Sequence, residues 1–377
     1  MKIEDYKAGE KRKCFQYECF VPSFVNQEWT WTSRDLTMML ERSVKELAKL
    51  DTCAQFVPDI DLFIRMHVVR EASASSRIEG TQTEMEEVVL PEESVLEERR
   101  NDWREVNNYI AAMNGAIEEM KYLPLSIRLL RGAHKRLLTG VRGEAKQPGE
   151  IRHSQNWIGG SSIATARYIP PSTEYLSDLL TDLEKFWHNE EIRVPNLIRC
   201  AISHYQFESI HPFLDGNGRI GRLLIPFYLI SKGELSCPSL YISAYLERHR
   251  EAYYEALSRV RSQNDLTGWI LFFLDAMAET AHTGCEKFKR IFSLRDEMAG
   301  VAAGLPNVEL AGRMFRHLYS VPRVTVNQLA KALDCGYQAA NRLVKPLVEK
   351  GVLVSSSDAK RNTIYDFKRY LEIFKED

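Results

Sequence analysis

The chain has 377 residues, enough for two or three domains, and its 44% hydrophobic and 27% charged content is ordinary for a soluble globular protein. A formal net charge of -2 excludes a protein-wide attraction to nucleic acid or to an anionic membrane. Seven cysteines, at 14, 19, 53, 200, 237, 285 and 335, are scattered and form no C-x-x-C pair, which predicts reduced thiols and no zinc site. The start, Met1-Lys2-Ile3-Glu4-Asp5, has no signal-peptide apolar stretch, and the apolar clusters near Leu223–Ile230 and Trp269–Leu274 are too short to span a bilayer. The expectation is a cytoplasmic protein with no membrane partner.

In chain order, residues 1–30 show no period and read as an irregular arm. Ser33 to Leu50 carries Leu36, Met39, Leu40, Val44, Leu47 and Leu50 on one helical face. Ile60 to Glu79 predicts a second helix, stopped by Gly80. Residues 84–98 hold seven glutamates and read as a solvated helical connector broken at Pro91. Helices follow over Asp102–Met120 and Leu125–Leu138. Between 140 and 172, glycines and prolines interrupt the helical rhythm, and Glu150–Ile158 with Ile163–Ile169 predicts a hairpin. Further helices are expected over Thr173–His188, Asn196–Ile210, Ile220–Ile230, Ala244–Val260 and Leu266–Ser293.

Gly300 and Gly304-Leu305-Pro306 mark a linker. Beyond it, Thr325 opens a short helix, Asp334-Cys335-Gly336 breaks it, and Tyr337–Lys350 is a second helix with Pro346 as a candidate kink. Gly351–Val354 and Thr363–Tyr365 read as short strands. The pattern resembles a winged helix-turn-helix domain over 306–377. From Val308 onward, 12 Lys plus Arg against 8 Asp plus Glu give +4, a mild basic excess. Gln338, Asn341, Arg342 and Lys345 would face DNA from the second helix, with Lys360-Arg361 at the wing tip. Many such domains bind proteins instead, so DNA and a protein partner both stay open.

The densest chemistry lies between two of these helices, in His211-Pro212-Phe213-Leu214-Asp215-Gly216-Asn217-Gly218-Arg219-Ile220-Gly221-Arg222. Glycines before a helix start aim backbone N–H groups at one point, which suits an anion. Two arginines one turn apart add charge-assisted contacts to phosphate oxygens. Asp215 suits a hard cation such as Mg²⁺, and His211 suits general-base work.

This segment resembles the Fic motif, H-P-F-x-[D/E]-G-N-G-R-x-x-R, with every fixed position filled. The resemblance implies a mainly α fold: an N-terminal helical region over 1–100, a Fic helical core over 101–298 and a hairpin flap at about 150–171. It implies a protein adenylyltransferase, which moves AMP from ATP to a Ser, Thr or Tyr hydroxyl of a target protein and releases pyrophosphate. By position, His211 would be the base, Asp215 the Mg²⁺ ligand and Phe213 the anchor of the loop. Gly216, Asn217 and Gly218 would line the phosphate cradle, with Arg219 and Arg222 on the β- and γ-phosphates. Asn156, Trp157, Ile158 and Gly159 of the flap would border the nucleotide, Tyr253 and Tyr254 the adenine. Glu208 would support the motif from behind.

Ser75-Ser76-Arg77-Ile78-Glu79-Gly80 resembles the inhibitory motif of the same family, [S/T]-x-x-x-E-[G/N]. Glu79 would pair with Arg222 and block the γ-phosphate. The target would lie along the flap edge by main-chain pairing, self-modification would accompany the reaction, and a homodimer is compatible with the class. Transfer of UMP or phosphocholine, removal of AMP, and a DNA-binding regulator are the competing readings.

Overall fold

The computed structural model describes residues 1–14, 16–56, 60–356 and 363–375. Residues 9–22 correct the expectation of an irregular arm. They form an antiparallel hairpin of β1 (Gly9–Cys14) and β2 (Tyr17–Pro22), with Gly9 opposite Pro22 and Cys14 opposite Tyr17. β1 reads Glu10-Lys11-Arg12-Lys13 and is exposed, so no alternation betrays it. β2 buries Cys19 and Phe20, and the Phe20 N–H donates to the Ile169 carbonyl at 2.9 Å, fastening the hairpin to the flap.

Helix α1 (Arg34–Gln55) starts on the Ser33 hydroxyl, which accepts the Leu36 N–H at 3.2 Å. It turns Leu36, Leu47 and Leu50 inward, while Val44, expected on that face, is 45% exposed. α2 (Ile60–Ile78) comes next. The acidic stretch after it holds only a short α3 (Met85–Val88) and two single 3-10 turns, and it is not simply solvated, since Met85, Val88 and Val95 are buried. α4 (Arg100–Glu119) and α5 (Ile127–Leu138) pack as an antiparallel pair, and α6 (Thr173–His188) leads to the centre.

That centre is α7 (Asn196–Ile210) and α8 (Asn217–Ser231). α7 is buried on every side from Leu197 to Ile210, the state of a helix at the middle of a bundle. The span expected as one helix after Pro238 is two, α9 (Ser243–Arg248) and α10 (Arg250–Gln263). α11 (Leu266–Ala303) packs along α1 and runs through Gly300, so the expected break falls at its C-cap, Gly304. Cys53 of α1 and Cys285 of α11 are joined as a disulfide with Cα atoms 6.0 Å apart. This corrects the expectation of thiols only, and a separation of 232 residues hid the pair.

The C-terminal module is α12 (Val308–Ser320), β3 (Arg323–Thr325), α13 (Val326–Ala332), α14 (Tyr337–Glu349), β4 (Val354–Ser355), β5 (Ile364–Asp366) and α15 (Lys368–Lys375). Its antiparallel sheet has the order β3-β5-β4. Gln338, Arg342 and Lys345 are exposed and Asn341 is half-buried, whereas Lys360 and Arg361 lie outside the described residues. α15 was not anticipated from sequence. It packs on α11 and α2, with Phe374 edge-on to His67 of α2 at 4.9 Å between centroids. Among the described residues no helix is long and apolar enough to cross a membrane.

Candidate active site

α7 ends at His211 in a left-handed conformation (φ 50°), and its N–H closes the helix on the Phe207 carbonyl at 2.9 Å. The chain turns back through Gly216 (φ 75°) and enters α8 at Asn217. Polar side chains fix the turn. Asn217 Oδ1 accepts the Phe213 N–H and Asn217 Nδ2 donates to the Phe213 carbonyl, both at 2.8 Å. Asn156 Nδ2 donates to the same carbonyl at 2.7 Å. The Phe213 ring is buried and stacks on His134 at 3.8 Å. His134 Nδ1 accepts the Gly149 N–H at 2.8 Å, so its Nε2–H donates to the Asp215 carbonyl at 2.9 Å. The burial behind this stack pushes His134 down to about 4 and keeps the ring neutral.

Such a turn leaves the first N–H groups of α8 facing one space with two arginines at its side. Arg219 is buried, 3.5 Å from Glu105 of α4 and 4.0 Å from Asp215. Glu105 also takes Arg142 at 2.7 Å. Arg222 is 1% exposed. Its Nε donates to Ser75 Oγ at 2.8 Å and its Nη2 to the Ser75 carbonyl at 2.9 Å and to Glu79 Oε1 at 2.7 Å. A Cβ added at Gly218 would lie 2.4 Å from Glu79 Oε1, so this carboxylate occupies the space directly over the start of α8. An internal anion fills the anion seat. Burial opposes both charges of this pair, but their mutual attraction wins: Glu79 is held below the usual carboxylate range and Arg222 is more firmly protonated.

His211 is half-buried beside this seat. Burial first, then the Arg152 guanidinium, lower it to about 4 against the pull of Glu79. The ring is neutral and its Nδ1 has no hydrogen-bond partner in the protein. Glu208 is buried, its Oε1 is also unpartnered, and burial pushes its carboxyl up to about 7. Asp215 takes the Gly216 N–H on Oδ1 at 2.6 Å and leaves 46% of its side chain exposed.

Residues 37–118 match the profile of the Fic/DOC family N-terminal region and residues 124–229 that of the Fic/DOC family. The chain belongs to the Fic/DOC family. The protein adenylyltransferase Fic of Culex quinquefasciatus is 31% identical over 157 residues, 41% of this chain and 28% of that protein. The protein adenylyltransferase fic-1 of Caenorhabditis elegans is 29% identical over 148 residues, 39% of this chain and 27% of that one. This chain thus spans less than a third of the curated relatives it matches. A Fic family protein from Desulfovibrio desulfuricans G20 superposes with a TM-score of 0.59 at 21% identity, over 90% of this chain and 98% of that chain. C. elegans Fic-1 (residues 134–508) gives 0.53 at 19% identity, over 70% of this chain and 74% of its own. At these identities the structures show a common fold.

In this Fic/DOC chain the flap is less regular than the two strands expected. One bridge, Ile158 to Tyr168, closes it, with a 3-10 turn at Ile163–Thr165. Gly159 and Gly160 supply the left-handed turn (φ 70° and 76°). Trp157 is 43% exposed, and Asn156 is committed to the motif turn rather than turned to solvent. The two tyrosines divide. Tyr253 is core, its hydroxyl donating to His204 Nε2 at 2.9 Å while His204 Nδ1–H donates to the Gly221 carbonyl at 2.8 Å. Tyr254 is 41% exposed, under Arg250. Of the two, only Tyr254 reaches solvent.

Sequence reasoning missed Glu105, His134 and the role of Arg152. Arg152 is buried and donates to the carbonyls of His211 at 3.0 Å and Ser154 at 3.2 Å, and to that of Pro171, tying the flap root to the motif. The available signal was a polar residue inside an apolar stripe. His134 falls among Leu130, Ala133 and Leu137, and Glu105 beside Val106 and Tyr109.

Proposed function

We propose that this protein is an autoinhibited protein adenylyltransferase, transferring AMP from ATP to a hydroxyl of a target protein. The observation that carries the reading is an anion seat at the start of α8, flanked by buried Arg219 and Arg222, beside a neutral histidine. Transfer at phosphorus asks chiefly for positioning and charge neutralisation, and this site is built for both. The target hydroxyl oxygen bonds to the α-phosphorus, the bond to the bridging oxygen breaks, and pyrophosphate leaves. His211 takes the hydroxyl proton. Arg219 and Arg222 steady the departing phosphates, and the turn held by Asn217, Asn156 and His134 fixes the cradle.

Among the described residues no group of three side chains could hold a metal alone. Mg²⁺ commonly shares one carboxylate with substrate phosphates and keeps several waters. Asp215, half in solvent, is the carboxylate that would hold it, and the ion would supply charge neutralisation. Glu79 is the brake. Its carboxylate stands where an anion of the substrate would stand and it engages Arg222. Self-modification accompanies the released form.

The test uses ATP labelled at the α-phosphate, Mg²⁺, and the wild type, Glu79→Gly and His211→Ala proteins, followed by intact mass. Label on Glu79→Gly, little on wild type and none on His211→Ala is the expected result. No label on any of them, with or without lysate as target source, would refute ATP as the donor. Competition with other nucleotides and a pre-modified target would then separate other donors from AMP removal.

A further inference from the structure

The C-terminal module carries a helix face that the cradle does not use. α13 and α14 are joined by the four residues Leu333-Asp334-Cys335-Gly336, with Asp334 in a left-handed conformation (φ 51°). Two helices linked by so short a turn make a helix-turn-helix pair. α14 buries Ala340, Leu343, Val344 and Leu347. At about 100° per residue, Gln338, Asn341, Arg342 and Lys345 fall on the opposite side, within about 100° of arc. α12 and α15 dock the module on α11 and α2, while α14 packs chiefly on α13. The stripe is left to solvent, with Gln338, Arg342 and Lys345 exposed and Asn341 half-buried. Among the described residues none of these four side chains has a hydrogen-bond or ion-pair partner.

The four side chains suit base edges. Asn and Gln each offer a donor and an acceptor that match adenine N6 and N7, and Arg and Lys match guanine O6 and N7. From Gln338 to Lys345 the stripe is about 10 Å long, the rise of about three base pairs. No side chain caps α14 at Gly336, so its first N–H groups are open to a backbone phosphate. The neighbouring carboxylates stand off this stretch: Asp334 lies in the turn, Glu349 closes the helix beside Lys350, and Asp366 is tied to Arg323 at 2.7 and 2.8 Å. The chain as a whole carries -2, but from Val308 onward the excess is +4, so the attraction to a polyanion is local. A protein interface is centred on apolar and aromatic side chains, and none stands among these four. Duplex RNA has a major groove too deep and narrow for such a helix to read.

We infer that α14 reads the major groove of duplex DNA, with Gln338, Asn341, Arg342 and Lys345 on base edges and the uncapped helix start on the phosphate backbone. Residues in the N-terminal part of such a helix reach the bases, which keeps Glu349 clear of the groove. The surface is separate from the cradle at α8 and does not depend on the adenylyltransferase reading.

The test takes the full chain and a pool of short randomised duplex DNA, enriched over successive binding rounds at low ionic strength and then titrated by fluorescence anisotropy. The enriched duplex should bind at least about tenfold tighter than the unselected pool. Gln338→Ala with Asn341→Ala should remove most of that preference. Arg342→Met with Lys345→Met should weaken binding to both duplexes and flatten the slope of log affinity against log salt by about 2. His211→Ala should bind as the wild type does, which separates this result from any failure of the catalytic reading. Circular dichroism establishes folding; if one double variant does not fold, the other decides. No enriched sequence, equal preference in the wild type and the Gln338→Ala, Asn341→Ala variant, or equal binding of an RNA duplex would overturn the inference. So would a lysate protein retained by the wild type and lost by the Arg342→Met, Lys345→Met variant while no duplex is enriched.

Discussion

Replacing Glu79 by Gln keeps the shape of the side chain and a hydrogen-bond acceptor, and removes only the charge facing Arg222. Breaking a fully buried ion pair costs about 3–5 kcal/mol. Here Arg222 retains both Ser75 contacts, and 36% of the Glu79 side chain already meets water. The expected loss of stability is therefore smaller, about 1–2 kcal/mol. The same substitution removes the negative charge that competes with a nucleotide for the seat at α8. A nucleotide that binds only the folded form adds about 2.7 kcal/mol at one hundred times its dissociation constant. The wild type must first displace Glu79 and should gain less, by the same 1–2 kcal/mol or about five- to thirtyfold in affinity. The assay is urea unfolding of both proteins with and without ATP and Mg²⁺, supported by calorimetric titration. Glu79→Gln should be less stable alone and more strongly stabilised by nucleotide. Equal stability and equal nucleotide gain in the two proteins would refute the idea that this pair gates the seat.

Gly218→Ala would drive its methyl against Glu79 Oε1. It should destabilise the wild type by about 1–3 kcal/mol and cost clearly less in a Glu79→Gly background, a coupling that a double-mutant cycle in urea measures. Glu208 has a folded-state value raised to about 7 from 4.5, so its contribution is fully present below pH 4.5 and is lost as pH rises through 7. Between pH 5 and 8 the wild type should lose up to about 3 kcal/mol relative to Glu208→Gln, read as the difference between their urea midpoints. A constant difference across that range would remove Glu208 as a titrating group. His134→Phe keeps the stack on Phe213 but strands the Gly149 N–H and the Asp215 carbonyl. It should cost about 2–3 kcal/mol and, on the proposed function, lower label incorporation by Glu79→Gly.

The parts of this site that sequence disclosed are those in which neighbours in the chain are neighbours in space. His211 to Arg222 is one turn and one helix start, and Ser75 to Glu79 is one helix end. Glu105, His134 and Arg152 reach the same turn from 59 to 114 residues away. Each looks locally like an ordinary helix or loop residue. The helices were visible wherever one face was wet, as in α4 and α5, because amphipathic spacing marks them. α2 stops at Gly80 as its sequence predicts, whereas α11 runs past Ser293 and through Gly300 to its C-cap at Gly304. The β1–β2 hairpin escaped because its outer strand is charged along its length, and its position is set by Ile169 in the flap. Tyr253 and Tyr254 were indistinguishable in sequence; only His204 reveals which one is turned inward.

α2 is bolted along its length. Arg65 reaches Ser320 at 3.1 Å, His67 lies in the ring cluster with Phe288 and Phe374, Glu71 takes Ser243 and Tyr109, and Arg77 grips Glu247 with two bonds at 2.6 and 2.9 Å. A helix so fastened does not swing away to free the cradle. What can move is the terminal turn, where the Glu79 and Gly80 N–H groups hang on Ser76 and Arg77 and Gly80 holds a left-handed φ of 102°. Release on that scale is a rotamer change or a frayed turn, in nanoseconds to microseconds, not a domain rearrangement. On the proposed function, a gate worth about 1–2 kcal/mol would stand open in roughly 3–16% of molecules at any instant. The resting protein would then idle at a low fixed rate, and a signal acting on it would need only to bias the turn from Ser76 to Gly80.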